Sequence, residues 1–219
     1  MTLHLLGDQL LQQRIVDRLK NTHAPDEHTP YLIAGVLPEQ MEKIRHLIPV
    51  SHKQSAVLVP LIQRPEGLSV LFTERASHLR NHAGQISFPG GRIEDIDADP
   101  IAAALRETEE EIGLSRSYVQ PIGYLPPYLV LTGYRIVPVV ALVQPGFTLT
   151  LDAGEVASAF ETPLSYLLDP EHHVPIQREV GDIKICTYDI PYGERLIWGA
   201  TAGMMMSLYR MLLAQSDGQ

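Results

Sequence analysis

The chain has 219 residues, 45% of them hydrophobic, and its 26 acidic against 17 basic residues give a formal charge of −9. That size suits one globular domain with its own core, and the acidic balance argues against a nucleic-acid backbone as the main partner. A single cysteine, Cys186, excludes a disulfide framework and a cysteine-cluster zinc site. With no apolar run near the ~18 residues of a membrane span and no signal-peptide start, a cytoplasmic, membrane-free protein is expected.

Residues 1–50 read as a mostly helical N-terminal extension packing on a main domain of residues 51–219. Leu10, Leu11, Ile15, Val16 and Leu19 recur at helical spacing, and residues 38–48 predict a second helix beyond a loop rich in His, Pro and acidic residues. From Ser55 the pattern turns to strands. Residues 56–62 and 68–73 are apolar runs parted by the turn-like Arg64-Pro65-Glu66-Gly67. Residues 74–89 then carry Arg75, His78, Arg80 and His82 ahead of a strand that delivers the chain to Gly90 and Gly91. A guanidinium suits phosphate because its fork bonds two oxygens at once, although a basic loop is more often plain solvated surface.

The next stretch organises the rest. Gly90-Gly91-Arg92-Ile93-Glu94 opens as a glycine turn, residues 95–99 form a short acidic loop, and Pro100 suits the first turn of a helix. Ala102 to Glu107 are strong helix formers, and Gly113 is a natural stop. On this helix Glu107, Glu110 and Glu111 stand at i, i+3 and i+4, so three carboxylates share one face. Acidic faces are usually just solvated. Crowded like charges add nothing to a helix, however, whereas a hard divalent cation such as Mg²⁺ takes carboxylate oxygens and leaves room for substrate phosphates.

Beyond it, residues 118–125 and 135–143 predict two more strands, with Pro138 marking a bulge or an edge. Glu155 precedes a short segment containing Phe160, Pro163 and Leu164. His172 and His173, if on a strand, point to opposite faces and make poor joint ligands. Residues 174–177 and 183–190 predict a hairpin around Gly181-Asp182, and Cys186 within it is expected as a small buried hydrophobe. Trp198 to Gly203 open a last helix, on which Met204, Leu208, Met211, Leu212 and Gln215 form a core stripe.

Gly91, Arg106, Glu107, Glu110, Glu111, Gly113 and Leu114 fall on a pattern that resembles the Nudix box. Asp97 holds the place of the box's first Glu, eight residues rather than seven separate it from Arg106, and Thr108 replaces a hydrophobic residue. Upstream, Leu71-Phe72-Thr73-Glu74-Arg75-Ala76, then Arg80, Gly84 and Phe88-Pro89-Gly90-Gly91, resembles the extra motif of the coenzyme A pyrophosphatase subfamily. The resemblance implies an α/β fold, an α/β/α sandwich with a mixed sheet. It implies Mg²⁺ or Mn²⁺ on Glu107, Glu110 and Glu111, and Arg106 holding a box carboxylate in place. Glu155 becomes a fourth acidic group, and Glu110 and Glu155 are the candidate general bases. Gly90 and Gly91 would admit the substrate closely, and Arg75 and Arg80 would meet its phosphates. The implied reaction cleaves coenzyme A or acyl-coenzyme A to 3′,5′-ADP and 4′-phosphopantetheine or its acyl form. Alternatives are a Nudix enzyme for ADP-ribose, NADH or dinucleoside polyphosphates, a non-catalytic nucleotide-binding module, and a purely structural acidic helix. The lone cysteine argues against the zinc-bearing NADH-cleaving type. Oligomeric state stays open, a homodimer included.

Overall fold

The computed structural model describes residues 2–33, 36, 40–181 and 183–214. Its centre is the strand β1 (Lys53–Arg64), whose middle is buried without a break because both of its faces are covered. β1 turns at residues 65–66 into β2 (Gly67–Arg75), antiparallel to it, and runs parallel to β7 (Tyr134–Val143) from Lys53↔Tyr134 to Ile62↔Val143. Continuous apolar runs are what a doubly covered strand needs.

Short strands complete the sheet. β3 (Ile86–Ser87) pairs with β2, and β4 (Gly90–Arg92) pairs with the start of β1. β5 (Val119–Tyr124) and β6 (Tyr128–Val130) share the far edge of β7, and β8 (Val156–Pro163) flanks β2. A separate three-stranded sheet holds β9 (Val174–Val180), β10 (Ile183–Tyr192) and β11 (Arg195–Ile197).

Side-chain alternation along β1 sorts the two faces. Ala56 and Leu58 pack with Val137, Val139 and Ala141 against Ala103 and Ala104 of the helix α3 (Pro100–Ile112). Val57, Val59 and Leu61 face the other way, towards α1 (Asp8–Leu19), α4 (Leu164–Leu167) and α5 (Gly199–Leu213). The result is a helix–sheet–helix sandwich around a mixed sheet, an α/β fold. Leu11, Ile15 and Leu19 of α1 are fully interior to that second core, each contributing about 2 kcal/mol over leaving it in water.

Several expectations need correction. Leu10 is 67% exposed, because the buried stripe of α1 runs through Leu11, Ile15 and Leu19 instead. The second helix is short, α2 (Met41–Ile44) followed by a 3₁₀ turn (Arg45–Leu47), and residues 38 and 39 fall outside the described residues. So do Asp182 and Gln215, expected from the sequence in the hairpin turn and on the last helix. Pro138 sits in a central strand, not at an edge. Its carbonyl accepts from Leu125 N, in the gap where β6 ends and β5 begins, so the donor it lacks is not missed. The bulge lies in β5, between Pro121 and Gly123. His172 ends a 3₁₀ turn (Pro170–His172) and stacks on Tyr166, while His173 is buried with Nε2 at 2.8 Å from Leu167 O; they are packing groups, not strand residues. Cys186 is exposed, since Ile183, Ile185 and Thr187 take the buried face of β10. Among the described residues no helix is long and apolar enough to cross a membrane.

Candidate active site

The helix α3 is set by its ends. Asp99 caps it by accepting from Ala102 N at 2.8 Å, Pro100 occupies the first turn, and Gly113 closes it in the left-handed conformation at φ 69°. Thr108, at a position where the Nudix pattern is apolar, is fully buried; its hydroxyl donates to Ala104 O at 2.6 Å, so no polar group is stranded. That arrangement fixes which side of α3 meets the glycine turn.

Gly90 must be glycine. Its φ is 147°, and a Cβ there would stand 2.3 Å from Ala56 O and 2.6 Å from the Val57 Cα. The tight pairing of β4 on β1 brings Gly90 N to Glu111, donating to Oε2 at 3.0 Å. Gly91 lies against Glu107: a Cβ there would be 2.3 Å from its carboxylate.

The three carboxylates of the helix therefore sit in different surroundings. Glu111 is only 5% exposed, and burial pushes its pKa up to about 7. The Gly90 amide and the Arg75 charge pull it down, while the charges of Glu155 and Glu107 push it further up. Glu107 is also raised, by burial first, against the pull of Arg106 and with the push of Glu110 and Glu155. Glu110 has a solvent-facing side chain.

Arg106 joins the loop to the helix. Its Nε and Nη2 grip Asp97 with two bonds of 3.0 and 2.8 Å, Nη1 donates to Glu107 at 2.9 Å and Glu110 at 3.0 Å, and Nη2 also reaches Arg92 O. This fork-to-fork geometry holds Asp97 well below the usual carboxylate range. Asp97 is the residue that sequence reasoning left without a role. The signal was its place in the box pattern, and the extra spacer residue obscured it.

Two further groups approach from β2 and β8. The pairing of these strands shifts register at Glu74/Arg75, where Arg75 pairs with Val156, and such a bulge re-aims the side chain beside it. Arg75 Nη1 stands 4.0 Å from Glu111 Oε1, and its Nε is buried without a hydrogen-bond partner among the described residues. Glu155, just before β8, is exposed, and its carbonyl accepts from Ala76 N at 2.9 Å; its charge acts on both Glu107 and Glu111. The structure thus brings Arg75, Gly90, Gly91, Arg106, Glu107, Glu110, Glu111 and Glu155 together. It does not tie Arg80 to them: that residue is exposed in the loop after β2.

Among the described residues no three His, Cys, Asp or Glu side chains converge as a ready metal cage, with Glu107 and Glu110 both turned to Arg106. The donor chemistry still fits a hard divalent cation. It is all carboxylate oxygen, and a buried Glu111 pushed up by neighbouring anions is a group whose charge a cation would stabilise.

Comparison with known proteins identifies the family. The NUDIX domain family matches residues 52–181. A protein of Shigella flexneri serotype 5b described as an uncharacterized Nudix hydrolase, NudL, is 41% identical over 160 residues, covering 73% of this chain and 83% of its own. Its namesake in Escherichia coli K12 is 40% identical over 159 residues, 73% of this chain and 82% of that one. Among solved structures, a MutT/nudix family protein from Enterococcus faecalis aligns with a TM-score of 0.48 at 16% identity, over 81% of this chain and 70% of that chain. With the family matched across the sheet, the glycine turn and α3, the chain belongs to the Nudix hydrolases, pyrophosphohydrolases that act on nucleotide derivatives and in general use divalent cations.

Proposed function

We propose that this enzyme hydrolyses the pyrophosphate of coenzyme A or acyl-coenzyme A, giving 3′,5′-ADP and 4′-phosphopantetheine or its acyl form. The observation that carries the reading is Arg75. It belongs to the upstream motif that resembles the coenzyme A pyrophosphatases, and it stands at the carboxylate cluster with a donor unused. A pyrophosphate is anionic and inert to water, so its cleavage needs both charge neutralisation and an activated nucleophile. Glu107, Glu110 and Glu111 would hold Mg²⁺ or Mn²⁺, which would supply electrostatic stabilisation of the phosphates and a more acidic water.

The chain's own groups do the rest. Gly90 N fixes the Glu111 carboxylate, and Arg106 orients Glu107 and Glu110 from behind. The absence of side chains at Gly90 and Gly91 lets β4 lie tight on β1 and leaves the Glu107 carboxylate its place beside the turn. Arg75 and Arg80 receive substrate phosphates, the 3′-phosphate among them. Glu155 or Glu110 takes the proton of the attacking water as its oxygen bonds to phosphorus and the bridging P–O bond breaks. Residues 51–219 form the catalytic unit in this reading, and residues 1–50 are an extension packed on it.

Product chromatography tests the proposal, with coenzyme A, ADP-ribose and NADH offered separately, with Mg²⁺ or Mn²⁺ and with chelator, beside Glu111→Gln. Metal-dependent 3′,5′-ADP from coenzyme A, absent in the variant, is the expected result. Turnover of ADP-ribose or NADH alone would overturn the substrate and keep the chemistry.

A further inference from the structure

On the face of the sheet away from α3, the strands β6 and β10 and the helix α5 border a cavity of about 360 Å³. Two periodicities make its walls. Lys184, Cys186 and Tyr188 alternate along β10 and so share a face, and Gly199, Gly203, Met206 and Arg210 fall on one stripe of α5. Gly203 is what seats Tyr128 here: a Cβ at that position would stand 2.1 Å from the Tyr128 hydroxyl.

That hydroxyl is the unexplained feature. Tyr128 is 2% exposed and borders the cavity, yet its hydroxyl has no hydrogen-bond partner among the described residues. Such a stranded donor destabilises the fold, a cost that a phenylalanine would avoid. Lys184 and Arg210 reach the same cavity, and no ion pair engages either among the described residues, although Glu179 lies opposite Lys184 in the β9–β10 register. Leu32, Ile33 and Met206 supply apolar wall. Polar groups set beside an apolar wall in one cavity suit a ligand that carries both kinds of surface.

We propose that this cavity binds a small organic anion with an apolar body, a carboxylate or a phosphate monoester. Its charged end takes the Tyr128 hydroxyl, Lys184 and Arg210, and its carbon chain lies on Leu32, Ile33 and Met206. The site is on the opposite side of the sheet from the carboxylate cluster and does not depend on the substrate proposed above.

Cys186, exposed and the chain's one cysteine, lines the cavity and reports its occupancy. Its alkylation by N-ethylmaleimide is followed by mass spectrometry on the full-length protein, with increasing octanoate, hexyl phosphate or neutral octanamide. One or both anions should slow the reaction saturably while octanamide does not. Tyr128→Phe and Arg210→Gln should each weaken the protection about tenfold, the worth of one charge-assisted hydrogen bond. Tyr128→Phe deletes only an unpaired hydroxyl, so its melting temperature stays at or above that of the parent, which separates lost binding from lost folding. No protection by either anion, equal protection by octanamide, or undiminished protection in both variants overturns the proposal.

Discussion

Gly90 donates its amide to the Glu111 carboxylate across 21 residues of sequence, at 3.0 Å, and the bond exists only because position 90 carries no side chain. Gly90→Ala would drive a Cβ into the Ala56 carbonyl and force a non-glycine residue to φ 147°. We expect a loss of about 3 kcal/mol in urea unfolding, from strain and from the displaced pairing of β4 on β1. Turnover should fall with it, since Glu111 loses its anchor. A variant as stable as the parent would show that β4 can shift away from β1 at little cost.

Glu111 also makes stability depend on pH. Its folded pKa of about 7 lies above the usual carboxylate value of 4.5. The folded state therefore holds a proton that the unfolded chain releases first, so stability falls as pH rises from about 4.5 to about 7, by at most about 3 kcal/mol. Metal-free protein should show this slope, Glu111→Gln should flatten it, and Mn²⁺ should oppose it by binding the ionised form. Melting curves across that pH range, with and without chelator, check all three.

Arg106 and Asp97 form the other half of the site's frame. Lysine has one compact charge and no fork, so Arg106→Lys cannot bridge Asp97, Glu107 and Glu110 at once. The expected loss is about 2 kcal/mol, with Asp97→Asn costing nearly as much. Because each variant breaks the same bidentate pair, the double variant should be far less destabilised than the sum. Additive losses would mean the pair is not a unit.

Much of this architecture is legible in the residues. The apolar runs of β1 and β2, the turn between them, and α3 with its proline start and glycine stop follow from local chemistry that tertiary contacts reinforce. β6 and β8 do not. β6 has three residues, and β8, with its Ser158, Glu161 and Thr162, pairs with β2 and shows no clean alternation of burial. The site divides the same way. Three carboxylates on one helical face can be read from spacing, but their unequal burial cannot, because it depends on β4 reaching back from the far side of the loop. Asp97 escaped because its contact with Arg106 spans an irregular loop, where spacing says little about distance.

Arg75 links the cluster to the proposed substrate, and two independent readouts test it. Its positive charge lowers the pKa of Glu111, so Arg75→Ala should raise that pKa further. If Glu111 works ionised, the acidic limb of kcat/KM then moves to higher pH, whichever nucleotide is offered. Separately, if the guanidinium meets the 3′-phosphate, the variant's KM for coenzyme A should rise about tenfold or more, the worth of a charge-assisted bond, while that for dephospho-coenzyme A barely changes. A shifted pH limb with equal KM effects on the two substrates would keep Arg75 as the electrostatic partner of Glu111 and remove it from 3′-phosphate recognition. An unshifted limb would show that Arg75, at 4.0 Å, is too well screened to set the charge state of Glu111.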